Sequence, residues 1–121
     1  YNPYADIIVT TEEFLASNPE AVQAFVEASQ EGYEAFFADP AKYAATLQTA
    51  NSENTEDVVL WGAEQIKALI ETGDATTMGI GIMTQERWQT VYDQLKELGV
   101  LQADTELDVT AAFNASFVPA P

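Results

Sequence analysis

Histidine and cysteine are both absent from the 121 residues, and only four residues are basic. Without histidine, neither a Ser-His-Asp nor a Cys-His arrangement can be built. Without cysteine there is no disulfide, no thiolate nucleophile and no sulfur ligand for a metal. A zinc site would have to be made of carboxylates alone, an uncommon choice. The basic residues Lys42, Lys67, Arg87 and Lys96 are scattered singly. A nucleic-acid surface needs them clustered to neutralise phosphates, so no nucleic-acid partner is expected. Anionic membrane surfaces are disfavoured for the same reason. No stretch approaches the roughly 18 apolar residues of a membrane span. Nor does a basic segment followed by an apolar one open the chain, so no signal peptide is expected within it. The first residue is Tyr1, as in a mature or excised product or at an expression boundary.

What is present is acid and apolar surface. Twenty residues are acidic, the net charge is −16, and 47% of residues are hydrophobic. That apolar fraction suffices for a core, and the length suits one unit over residues 1–121. Such acidity fits a freely diffusing protein, including one that faces high salt.

Local patterns divide the chain. The β-branched run over residues 5–10, with Ile7, Ile8 and Val9 at its centre, predicts a single N-terminal strand. Thr10 to Glu13 fits a capping box for a short helical turn carrying Phe14 and Leu15. Asn18-Pro19-Glu20 combines a cap, a first-turn proline and an acid at the positive end of the helix dipole. A helix over 19–38 follows, its stripe made of Val22, Phe25, Val26, Ser29, Tyr33, Phe36 and Phe37. Asp39-Pro40 starts another over 40–50, with Tyr43, Ala44 and Leu47. A polar link at 51–55 leads to a helix over 56–72, with Val59, Gly62, Ile66, Leu69 and Ile70 on one side and Gly73 as its stop. Met78 to Met83 is apolar and glycine-bearing, and favours neither helix nor strand. Thr84 caps a helix over 85–98 bearing Trp88, Val91, Tyr92, Leu95 and Leu98. A short helical element is expected over 110–117, through Phe113 and Phe117. The fold class is therefore mainly α, about five helices plus one strand. A lone strand cannot satisfy its own backbone groups. Either it pairs with another chain, which makes the protein an oligomer, or the rest of its sheet lies elsewhere.

Candidate chemistry is sparse, and no enzyme activity, cofactor or metal is expected. Adjacent acids such as Glu12-Glu13 and Glu56-Asp57 are expected by chance among twenty, and an acid/base pair needs a shared cleft to separate its pKa values. Asp104-Thr105-Glu106-Leu107-Asp108 opens like a calcium loop, but Val109 replaces the turn glycine and Ala115 the bidentate glutamate. Gly79-Ile80-Gly81 lacks the third glycine and the lysine of a phosphate loop. The aromatic stripe from Phe25 to Phe37 has the spacing of a buried helix face, and Trp88 with Tyr92 is weighed likewise. Trp61 falls beside the apolar side of its helix, at a rim or an interface. Tyr1, Asn2 and Tyr4 lie just before the expected strand, off any helical stripe, and are the candidate ligand contacts.

The order of these motifs resembles the C-terminal region of solute-binding proteins of the nitrate/sulfonate/taurine and THI5-like class. The resemblance rests on Ile7-Ile8-Val9-Thr10-Thr11, the Asn18-Pro19-Glu20 helix start, Ala28 to Gly32, and Asp39-Pro40. It continues through Gly81, Glu86-Arg87-Trp88, Leu98-Gly99-Val100-Leu101, and Thr110 with Phe113. Each motif alone is weak, and their shared order over residues 4–117 carries the likeness. It implies a C-terminal fragment of a two-lobed α/β periplasmic-binding-protein-like fold, with the first half and most of the ligand cleft outside the chain. It also implies a small-molecule solute, namely a thiamine-precursor pyrimidine, a sulfonate, taurine or nitrate. The implied partner is an ABC permease, and the implied location is periplasmic or otherwise extracytoplasmic. The alternative from the residues themselves is a standalone acidic helical interaction or regulatory domain that oligomerises.

Overall fold

The computed structural model describes Tyr4, residues 6–102 and residues 104–118. Among these, regular structure is entirely helical: α1 (Glu12–Ser17), α2 (Pro19–Ala38), α3 (Pro40–Ala50), α4 (Glu56–Ile70), α5 (Ala75–Met78) and α6 (Gln85–Glu97), with a 3-10 turn at Val109–Ala111.

The strand expected over 5–10 is corrected. Ala5 lies outside the described residues, and Asp6 to Thr10 form no ladder. Ile7 and Ile8 are each 52% exposed and Val9 is 78% exposed. A strand exists only through a neighbour that takes up its N–H and C=O groups, and no strand or bridge occurs among the described residues. The α/β architecture implied by the resemblance is corrected with it, because the described regular structure is helical throughout.

Helix starts follow the local chemistry, with two changes of detail. The hydroxyl of Thr11, rather than Thr10, caps α1 by accepting from the Phe14 N–H at 3.1 Å. Asn18 stands at the α2 N-cap without a side-chain bond into that helix; its amide instead donates back to the Phe14 carbonyl at 3.4 Å. Asp39 does cap α3, accepting from the Lys42 N–H at 3.3 Å. The end of α6 is a full Schellman closure. Gly99 adopts φ 69°. Its N–H bonds the Lys96 carbonyl at 3.0 Å, and the Val100 N–H bonds the Leu95 carbonyl at 2.9 Å. The unassigned stretch at 78–83 ends α5 and turns through Gly79 and Gly81, at φ 91° and 90°. The expected element at 110–117 is only the 3-10 turn at Val109–Ala111 followed by turns.

The core is small. Phe37, Ala44, Val59, Ala63, Val91 and Val109 are its buried apolar residues. Helix α2 packs on α1, α3 and α4, α3 packs on α4, and α6 packs on the 3-10 turn. Two expected stripes are only half used. Phe25 is 61% exposed on α2, and Leu69 is 74% exposed on α4.

Candidate functional site

Aromatic and cationic side chains converge at the start of α6. Thr84 is the hinge of this cluster. Its hydroxyl caps α6 by accepting from the Arg87 N–H at 3.4 Å, and donates to the Asp74 carboxylate at 3.0 Å. Its own N–H donates to the phenol oxygen of Tyr4 at 2.9 Å. A residue near the chain start is thereby fastened to a helix start about two thirds of the way along.

The ring of Tyr4 is held from two sides. The guanidinium carbon of Arg87 lies 4.3 Å from its centroid, within cation–π range. The Trp88 ring meets it at 5.7 Å and 45°. Trp88 in turn stacks on Phe113 at 5.8 Å, 12° from parallel. Both ring neighbours of the indole are thus supplied by the chain itself, and its Nε1 is buried without a hydrogen-bond partner among the described residues.

Of the three candidate ligand contacts, Tyr4 lies in this cluster, while Tyr1 and Asn2 lie outside the described residues. Sequence reasoning missed Thr84, Arg87 and Trp88 as neighbours of Tyr4, and Phe113 as the neighbour of Trp88. No local signal joins residues eighty positions apart.

The acidic segment after α6 has a structural use. The Thr105 carbonyl accepts from the Tyr92 hydroxyl and from Lys96 Nζ at 3.2 Å. Asp108 caps the 3-10 turn through the Thr110 N–H at 2.9 Å. Bonding from the Thr110 hydroxyl and N–H holds the Asp108 carboxyl below the usual aspartate range. Among the described residues, no three histidine, cysteine, aspartate or glutamate side chains gather as a metal site would require.

A groove of about 220 Å³ opens between α2, α3 and α4, lined by Phe37, Pro40, Leu60, Ala63, Glu64 and Lys67. Its floor is apolar, and Glu64 and Lys67 are its charged groups.

Residues 1–43 match the family model described as NMT1/THI5 like. The matched stretch holds the N-terminal segment, α1, α2 and the first turn of α3. It agrees with the resemblance in the Asn18-Pro19 and Asp39-Pro40 region and covers about a third of the chain. No curated protein and no solved structure gives a significant match.

Proposed function

We propose that this chain is part of an extracytoplasmic solute-binding component that captures a small molecule and hands it to an ABC permease. The carrying observation is the family match over residues 1–43, which coincides with the ordered helix-start motifs. The absence of histidine and cysteine removes histidine-based and thiol catalysis, and the binding reading needs neither. The solute is drawn from thiamine-precursor pyrimidines, sulfonates, taurine and nitrate, as the resemblance implies.

Tyr1, Asn2 and Tyr4 are the proposed contacts. Tyr4 spends its phenol oxygen on Thr84 and its ring on Arg87 and Trp88. Its part is to anchor the segment carrying the other two. Residues outside this chain complete the site in this reading, since the groove at Phe37 and Leu60 is open and mostly apolar and offers little to an anion.

The test is a thermal-shift screen on the protein expressed from its complete reading frame, with each solute class in turn. A ligand at about 100 times its Kd stabilises the folded state by about 2.7 kcal/mol, so the cognate class raises Tm by several degrees. Unchanged melting with all four classes overturns the reading.

A further inference from the structure

Helix α4 has two apolar sides, of which the packing against α2 and α3 uses one. Val59 and Ala63 are buried. On the other side Val58 is 47% exposed, Trp61 66% and Leu69 74%. Their spacing of three and then eight residues places all three on one face of a helix. Exposed tryptophan and leucine sharing a helix face are characteristic of a contact surface rather than of scattered surface apolarity.

One edge of this face is a row of carboxylates. Asp57, Glu64 and Glu71 stand seven residues apart, two helical turns each, and so drift little around the helix axis. Asp57 accepts from the Thr55 hydroxyl, which favours its charged form. The nearby cation, Lys67, is 3.8 Å from Glu71 and compensates that one acid alone. A second copy of this chain, also carrying −16, would be repelled. The same holds for an anionic polymer or membrane surface.

We propose that the α4 face formed by Val58, Trp61 and Leu69, with its Asp57–Glu64–Glu71 edge, docks a basic amphipathic helix of a partner protein. The apolar stripe receives the partner's apolar stripe, and the carboxylate row pairs with lysines or arginines repeating every seven residues. The apolar part supplies affinity, and the acidic edge supplies orientation and choice of partner. This surface is independent of the solute reading.

The probe is a fluorescent peptide of about three heptads, with leucine at the seam positions and lysine at the flanking ones. Two controls replace the leucines by serine or the lysines by glutamate. Binding to the protein expressed from its complete reading frame is read by anisotropy at about 0.1 M salt. The leucine–lysine peptide is expected to bind at least about tenfold more tightly than either control. Trp61→Ala and Leu69→Lys should each weaken it at least about tenfold. Asp57→Asn combined with Glu64→Gln should weaken it several-fold, with the difference vanishing at about 1 M salt. Phe25→Ala, an exposed aromatic on α2, should leave it unchanged. All these positions are exposed, and circular dichroism checks that each variant folds. Equal binding of the serine control, indifference to Trp61→Ala and Leu69→Lys, or absence of binding would each overturn the proposal. So would sedimentation showing a dimer that Trp61→Ala and Leu69→Lys each dissociate.

Discussion

The phenol oxygen of Tyr4 accepts a hydrogen bond from the backbone N–H of Thr84 at 2.9 Å, across eighty residues of sequence. Thr84 is the residue whose hydroxyl starts α6. The chain start and a helix start are therefore mechanically one feature, with the Tyr4 ring seated on Trp88 and Arg87.

Removing the phenol oxygen separates the bond from the packing. Tyr4→Phe should cost about 1 kcal/mol in urea unfolding, the net worth of a typical hydrogen bond. Tyr4→Ala should cost more, because ring contacts are lost as well. The Tyr4→Ala and Trp88→Ala effects should be non-additive by at least about 0.5 kcal/mol, as for residues in contact. Simple additivity would mean that the ring pair is energetically silent.

The two tryptophans should report opposite environments. Trp61 is 66% exposed, whereas Trp88 stacks on Phe113. The Trp88→Phe variant should emit at long wavelength and be readily quenched by acrylamide. The Trp61→Phe variant should emit to the blue and resist quenching. Matching spectra from the two variants would contradict the described packing.

Capping energies should follow geometry rather than residue type. Asp39→Ala removes a side-chain bond to the Lys42 N–H and should cost about 1 kcal/mol. Asn18→Ala removes no side-chain bond into α2 and should cost less than about 0.5 kcal/mol. Gly99→Ala places a Cβ at φ 69° and should cost about 1 kcal/mol or more. Thermal and urea unfolding of the three variants give the ranking.

Salt should stabilise the protein. Twenty acids face four bases, and Lys67–Glu71 is the one ion pair among the described residues. The screening length shrinks from about 10 Å at 0.1 M to about 3 Å at 1 M, so self-repulsion weakens while little attraction is lost. Tm should rise over that range. Lys67→Ala should change stability by less than about 1 kcal/mol, as an exposed pair does. A Tm that falls with added salt would show that attractive pairs dominate.

Acid should remove the support Asp108 gives to the 3-10 turn. Its folded-state pKa is depressed, by hydrogen bonds from the Thr110 hydroxyl and N–H. A depressed acid stabilises the folded state above its unfolded pKa, near 3.9, and loses that contribution as pH falls through the lower folded value. Thr110→Val should raise the Asp108 pKa toward the ordinary range, as read by carboxyl-carbon NMR titration. An unchanged titration would assign the shift elsewhere.

Much of the helical layout could be read from local chemistry. Asn18-Pro19 and Asp39-Pro40 lie at the starts of α2 and α3, Thr84 caps α6 and Gly99 closes it. These signals are legible because each acts within about one helical turn. The stripes were less reliable. Phe25 and Leu69 have core spacing and yet are exposed, because periodicity defines a face without saying whether anything lies against it. Thr84, Arg87 and Trp88 could not be linked to Tyr4 from spacing at all, nor Phe113 to Trp88.

The sequence by itself determined composition-level chemistry and helix punctuation. Without histidine or cysteine, whole classes of catalysis have no residues to use, whatever the fold. Tertiary structure decided the rest. It left Ile7, Ile8 and Val9 exposed and outside regular structure, since β structure depends on a neighbour that local propensity cannot supply. It also gave Val59 and Ala63 a core while leaving Trp61 and Leu69 facing outward, because the side of a helix that is buried depends on where its neighbours lie.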